Sequence, residues 1–402
     1  MATLPLEGIK VADFSWVIAG PMLTKYLSIF GAEVVKVESH VRPDRFRLQP
    51  PFLRKPSRQS SLPFADLNAS KKSLGLNLQS PEGIQVAKRL ITWCDVVVEN
   101  FSPGQMDNWG IGYGEIKKIN SRAVMLSSSQ LGQKGPQASH PGIGNLLQAL
   151  AGVNHLTGWP DRDPRGPAIP YPDMVAPWFS VISIVAALEY ADRTGKGQHL
   201  DLSQIEATLQ FISPTILDYT VNGIEEGRTG NRNIEAVPHN SYPCRGKDSW
   251  CVISVRTDAQ WTALVEAMEQ PNWAYKPKFS TFLERHRHVD ELDRHIEKWT
   301  VAQEATDLQA LLQAAKVPAA KVNNGRDLHE DPQMKHRGHF LMMDHPRMGS
   351  YPTTTPAFDI DGLSERFERA PILGEHTNEI CQRFLGMEAS EVETLRKKGV
   401  LT

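Results

Sequence analysis

Short runs of β-branched and apolar residues alternate with segments of helical periodicity through the first half of the chain. Ile9–Phe14 predicts a strand, and Pro21–Phe30, opening after Gly20-Pro21, predicts a helix. Ala32–Val37 predicts a second strand, Pro81–Trp93 a second helix, Asp95–Glu99 a third strand and Ala123–Ser128 a fourth. That alternation predicts an α/β fold, with a parallel sheet and crossover helices. Residues 39–66, rich in Pro, Arg and Ser, predict a long surface excursion, and long loops in compact domains are often functional. A second set of elements begins after the turn Thr194-Gly195-Lys196-Gly197, where Gln198–Leu202 predicts a strand. Gly223–Asn240 is polar and contains glycine, as a linker or an active-site loop would. Trp250–Val255 and Ala319–Val322 predict strands, and Asp258–Met268 and His288–Gln313 predict helices, so a smaller α/β domain spans about 225–325. From Pro371 the tail holds a helical stretch, Thr377–Leu385, that packs back on the first domain.

The run Pro167–Leu188 places one carboxylate, Asp173, between two kinds of sequence. Pro167, Pro170 and Pro172 keep the approach extended. Beyond Asp173, the residues Val175, Trp178, Val181, Ile182, Val185 and Leu188 recur at helical spacing. Asp173 therefore sits at or near a helix N-terminus, and two readings are open. It caps the helix, as aspartates at this position commonly do. Alternatively, it is a carboxylate nucleophile held ionised by the free amides of the first turn.

Composition narrows the class. With 402 residues, a net charge of −2 and 22% charged residues, the chain has the length for a sizeable core and two domains, without the basic excess of a dedicated nucleic-acid binder. Cys94, Cys244, Cys251 and Cys381 form no C-x-x-C pair, which points away from a zinc site or a disulfide framework. The first ten residues lack a signal pattern, and the longest apolar stretch, around 174–188, is too short to span a bilayer. A soluble protein of a reducing compartment, most simply cytoplasmic, is expected. Gly110-Ile-Gly-Tyr-Gly114 follows a Trp-containing loop rather than a strand, so a nicotinamide dehydrogenase is not indicated. The histidines make no ligand pattern, and no metal site is expected.

The segments together resemble the family III CoA-transferases, the formyl-CoA transferase and carnitine CoA-transferase group. The resemblance rests on Ala19-Gly20-Pro21 followed by Gly31–Glu38, and on Leu67-Asn68 with Lys71-Lys72-Ser73 and Ser80–Gly83. It extends through Asp95–Phe101 with Pro103-Gly104, Gly132-Gln133 with Gly135-Pro136, Thr194–Asp201 and Leu373–Thr377. It implies a Rossmann-like large domain, 1–200 completed by about 330–402, a smaller α/β domain at 225–325, and two chains interlocked as a homodimer or as a heterodimer with a related subunit. Asp173 aligns with the family's catalytic aspartate. The reaction this implies moves CoA from a donor thioester to an acid through an aspartyl anhydride and an aspartyl-CoA thioester, with CoA thioesters as substrates and no separate cofactor.

Arg42, Arg45, Lys71 and Lys72 are then the candidates for the CoA phosphates, with Asn100 and Phe101 along the pantetheine path. The family's amide side chain near the first strand is replaced here by Val17-Ile18, which leaves the backbone around Ile18 and Ala19 for the oxyanion. The run Gly230–Cys244 is similar to members handling succinyl-CoA and a second dicarboxylate, including benzylsuccinate CoA-transferases, with Arg232 or His239 as partners for a spectator carboxylate. Two other functions compete. An α-methylacyl-CoA racemase would carry a His-Asp pair where this chain has Ile143-Gly144, and a non-catalytic CoA-binding subunit would not need Asp173.

Overall fold

The computed structural model describes residues 4–402. One compact unit comprises the chain up to Asn154, Gly166–Glu225 and Lys335–Thr402; the other comprises His155–Arg165 and Glu226–Met334.

The first unit is built on six strands: β1 (Lys10–Asp13), β2 (Glu33–Glu38), β3 (Lys72–Gly75), β4 (Val96–Glu99), β5 (Val124–Ser129) and β6 (His199–Ser203). They pair in the order β3-β2-β1-β4-β5-β6, all parallel. This is a doubly wound sheet, with its strand order reversing between β1 and β4. Both faces are covered, which is why the central strands read as nearly continuous apolar runs. Val11, Val34, Val96 and Leu126 pack with Leu23 and Leu27 on one face, while Ala12, Val35, Val97 and Met125 pack with Leu90 and Ile91 on the other.

Both edges of this sheet differ from the sequence pattern. Lys72-Ser73 forms the edge strand β3 rather than a lysine-rich turn. The expected strand at 198–202 does not begin a new module; as β6 it is the opposite edge of the same sheet. The free side of β3 is covered by the C-terminal segment. Ser73 and Gly75 donate their amides to His376 Nδ1 (3.1 Å) and Thr377 Oγ1 (3.0 Å), and the Thr402 amide donates to the Gly75 carbonyl at 2.9 Å. A methyl group on Gly75 would lie 1.9 Å from the Thr402 carbonyl, so only glycine admits this approach. The Leu373–Thr377 signature therefore closes a sheet edge.

Residues 39–66 are a folded cover rather than a free excursion. Arg47 is buried, forms an ion pair with Glu38 at 2.5 Å and lies 3.7 Å from the centre of the Phe64 ring. Ser61 caps the short helix Leu62–Leu67.

The helix bearing Asp173 runs from Tyr171 to Thr194, 24 residues, and ends at Gly195 in the left-handed region. It is long and apolar enough to cross a membrane by length and composition alone, a test that core helices also pass, which corrects the expectation that this apolar segment is too short. Here Ile184 joins the core beside Leu23 and Leu126, and Ala187 and Ala191 pack on Val124.

The second unit is a three-stranded antiparallel sheet, β7 (His239–Pro243), β8 (Trp250–Ser254) and β9 (Ala319–Lys321), in that order. Helices Asp258–Ala267, Val289–Thr300 and Ala305–Ala314 bury Leu264, Ile296 and Leu308 with Cys251 and Ile253. A capping box between Thr257 and Gln260 starts the first of them. The expected helical segment 288–313 is two helices, interrupted between Thr300 and Ala305.

Candidate active site

In a doubly wound sheet the carboxyl ends of the strands on either side of the reversal diverge and leave a crevice. Here those ends are Asp13–Ile18 after β1 and Glu99–Phe101 after β4, and a cavity of about 200 Å³ opens there. Val17, Ile18 and Ala19 line it from the β1 side, Asn100 and Phe101 from β4, Ser128 and Ser129 from β5, and Asp173 and Gln204 from two helix starts. Among the described residues that line it, none is Lys or Arg.

Asp173 is the third residue of its helix, and no side chain caps that helix. The capping reading therefore fails, and so does the idea that first-turn amides hold the carboxylate ionised. Pro170 and Pro172 bring the helix start forward to Tyr171, so Asp173 lies within the first turn. The carboxylate instead faces the cavity, where burial pushes it up to about 6 against the pull of a hydrogen bond from Gln204. On its other side lies Gly144, where a Cβ would stand 2.4 Å from Asp173 Oδ2 and 2.7 Å from Pro170 Cβ. The missing side chain at 144, which weighs against a racemase, is also what gives the carboxylate room.

The loop after β1 is held from several sides. The Asn100 side chain accepts from the Trp16 amide and donates to the Trp16 carbonyl, both at 2.8 Å. Asp44 accepts from the Val17 amide at 3.1 Å. Val17 has φ 71°, a conformation that a β-branched residue adopts only when its surroundings impose it. The chain then enters the helix Ala19–Ile29 with Ile18 at the cap position and no capping side chain. The first-turn amides of that helix, beside the cavity, carry the positive end of its dipole. Gly20 permits the tight turn, since a Cβ there would meet Ser15 Cβ at 2.1 Å.

Beneath this loop lie three buried ion pairs: Lys71 with Asp13 (3.2 Å), Lys36 with Asp44 (2.9 Å) and Arg47 with Glu38. Burial alone would raise the Asp13 carboxyl, but Lys71 and Lys36 outweigh it and hold it below its ordinary value. Burial pushes the Lys71 ammonium down to about 7, with Asp13 pulling the other way. Lys71 also donates to the Pro21 carbonyl and Asn68. It is thus a structural cation, not a phosphate ligand.

The other expected residues divide. Lys72 is half-buried and paired with Glu379 at 2.9 Å. Arg42 and Arg45 are exposed. Arg42 lines a second, narrow cleft with Trp16, Glu38, Asn77, Gln79 and Phe101, at the carboxyl ends of β1, β2 and β3. Phe101 is common to cleft and cavity. Asn100 lines the cavity, but its amide is engaged by Trp16. Arg232 and His239 belong to the second unit. There Arg232 is matched by Asp290 (2.5 Å) and Asp293 (2.6 Å), so its charge is already neutralised, and His239 shares a hydrogen bond of 2.9 Å with Ser254.

The sequence reading missed Gln204, Ser128 and Ser129. The buried hydroxyls of both serines and the Trp16 indole nitrogen have no hydrogen-bond partner, which is unusual for buried polar atoms away from a ligand site. A run of three serines ending a parallel strand was the available signal. Glu99 is also buried, and that burial raises it to about 7 although it accepts from the Phe101 amide.

The model of CoA-transferase family III matches residues 6–377. The succinyl-CoA–D-citramalate CoA-transferase of Chloroflexus aurantiacus is 32% identical over 99% of this chain and 98% of its own length. The succinyl-CoA–L-malate CoA-transferase beta subunit of the same organism is 31% identical over 99% and 98%. Among solved structures, a CAIB/BAIF family protein from Brucella suis superposes with a TM-score of 0.88 at 29% identity, covering 95% of this chain and all of that one. Fold and sequence agree: this chain belongs to the family III CoA-transferases and is a CoA-transferase.

Proposed function

We propose that the protein moves CoA from succinyl-CoA to a second dicarboxylic acid, with Asp173 as the nucleophile. The observation that carries this reading is the Asp173 carboxylate, desolvated and facing a cavity at the sheet's reversal point, with no Lys or Arg among the described lining residues. The donor and the class of acceptor are taken from relatives named for succinyl-CoA with citramalate or malate.

A carboxylate attacks a thioester when water is kept away. One Asp173 oxygen bonds to the acyl carbon, the C–S bond breaks, and CoA thiolate leaves with the electron pair. The thiolate then attacks the Asp173 carbonyl carbon and expels succinate, leaving an aspartyl-CoA thioester. The incoming acid reverses both steps, and no proton is transferred. Each addition develops an oxyanion, for which the amides at Ile18 and Ala19 are the donors, a contribution of about 3–4 kcal/mol for one good donor. On this reading the nucleotide end of CoA lies toward the neighbouring cleft, with Arg42 toward phosphate and Phe101 lining both compartments.

We further propose that the working form pairs two chains, identical or related. Ile182 and Val185 on the Asp173 helix, and Leu217 and Val221 on the helix Ser213–Asn222, are exposed apolar residues. Such patches mark interfaces. The four buried thiols suit a reducing cytoplasm.

The experiment is isotope exchange between succinyl-CoA and labelled succinate, which uses both half-reactions and needs no knowledge of the acceptor. It is followed by hydroxylamine trapping. Wild type should exchange label and yield a hydroxamate on the peptide containing Tyr171-Pro172-Asp173, dependent on acyl-CoA. Exchange without that hydroxamate would refute the covalent role of Asp173, and no exchange would refute the donor.

A further inference from the structure

The residue that touches the Asp173 carboxylate comes from elsewhere in the chain. Gln204 is 5% exposed and lies directly after β6, at the start of a helix whose cap is Ser203. Its side chain hydrogen-bonds to Asp173 and lines the same cavity. An ionised carboxylate only accepts, so the amide NH₂ of Gln204 is the donor. The first turn supplies no capping side chain, and beside Asp173 Oδ2 lies the bare backbone at Gly144.

We propose that Gln204 is the positioning residue of the nucleophile, and that the same amide serves the aspartyl-centred half of the reaction. This rests on Asp173 being the nucleophile. While Asp173 is a carboxylate, Gln204 fixes one oxygen and leaves the other to attack the acyl carbon. Once that bond has formed and thiolate has left, the oxygen held by Gln204 is the carbonyl of the anhydride. When thiolate adds to the Asp173 carbonyl carbon, negative charge develops on that oxygen and the amide stabilises it. The charge collapses as the C–O bond to the succinyl group breaks and succinate leaves. A neutral amide suits both duties: it orients the carboxylate without the strong ground-state stabilisation that a Lys or Arg would give.

The test uses full-length wild type, Gln204→Leu and Gln204→Glu, assayed by succinyl-CoA/labelled-succinate exchange from pH 5 to 9 with hydroxylamine trapping. Gln204→Leu should lower kcat about a hundredfold, the effect of losing one oxyanion donor, with KM changed only a few-fold. The acid limb of its profile should move up by about one unit, because the carboxylate loses a hydrogen bond. Gln204→Glu keeps the size and sets two carboxylates side by side, so the working form is the pair sharing one proton. Its rate should rise as pH falls from 8 toward 6, the reverse of wild type. If Gln204→Leu does not fold, the isosteric Glu variant decides the matter. A Leu variant within about threefold of wild type with an unmoved acid limb, or a Glu variant that follows the wild-type profile, overturns the proposal. Failure of wild type to exchange or to be trapped overturns the reading beneath it, and is seen before any variant is made.

Discussion

Gly144→Ala adds one methyl group at a position where the backbone tolerates it, since Gly144 is not among the glycines with positive φ and begins the helix Gly144–Leu150. In an exposed helix interior this change stabilises by about 0.5–1 kcal/mol. Here the new Cβ would lie 2.4 Å from Asp173 Oδ2 and 2.8 Å from Asp173 Cγ, short of ordinary contact by about 1 Å. Pro170 Cβ, at 2.7 Å, blocks a sideways escape, and the proline ring cannot swing away. The carboxylate must move by about 1 Å, and a displacement of that size costs roughly a hundredfold in rate when reacting atoms must align. Overpacking costs about 1–3 kcal/mol, so the net change in stability is small. The expected result is a kcat about a hundredfold lower, KM for succinyl-CoA changed less than fivefold (about) because the nucleotide cleft is untouched, and a melting temperature within a few degrees of wild type. Exchange kinetics and thermal melts measure all three. A variant with wild-type kcat would refute the claim that the bare backbone at 144 sets the position of the carboxylate.

Three further outcomes follow from the same geometry. Asp173→Asn should abolish exchange yet stabilise the fold: burial raises the folded carboxyl from 3.8 to about 6, so the folded chain holds more protons than the unfolded one between those values and stability falls as pH rises through them. Denaturation should show the variant more stable by about 1–3 kcal/mol at pH 7–8, with the gain gone below the ordinary Asp value. Lys71→Met strands the buried Asp13 carboxylate and should cost about 3–5 kcal/mol in denaturant unfolding, whereas a phosphate ligand would raise KM without that loss. Arg42→Ala should do the converse, raising KM for succinyl-CoA while sparing kcat and stability, as read from steady-state kinetics.

Much of the fold was legible because β1, β2, β4 and β5 are buried on both faces and therefore read as apolar runs. The edges were not. β3 carries Lys72, whose ammonium reaches out to Glu379, and β6 alternates exposed His199 and Asp201 with partly buried leucines. Neither pattern says which sheet the strand joins. Asp173 was visible as a carboxylate at a loop-to-helix junction, but its state was not, because the neighbours that desolvate it come from tertiary structure. Gln204 and Gly144 reach Asp173 only because β6 lies parallel beside β5 and the helix Gly144–Leu150 packs on the Asp173 helix. No local spacing encodes such contacts. The lysines misled for a related reason: Lys71 looks like a phosphate ligand in sequence, and only the burial of Asp13 beside it shows what it neutralises.

The placement of charge gives the site its logic. Each buried cation near the strand ends has a buried carboxylate of its own, Lys36 with Asp44, Lys71 with Asp13 and Arg47 with Glu38. Breaking such a pair is costly, so the three hold the segments that carry Val17, Ile18 and Ala19 in place. Because each pair is internally neutral, it imposes little net field on the cavity. A cation beside Asp173 would stabilise the ground-state carboxylate, and that stabilisation is lost once the carboxylate becomes a neutral anhydride, so the barrier to attack would rise. Neutral donors avoid the penalty, which is why the proposed mechanism assigns the developing oxyanions to the Gln204 amide and the first-turn amides at Ile18 and Ala19. The departures at Ile18 and Gly144 agree with this division, since neither supplies a polar side chain to the cavity.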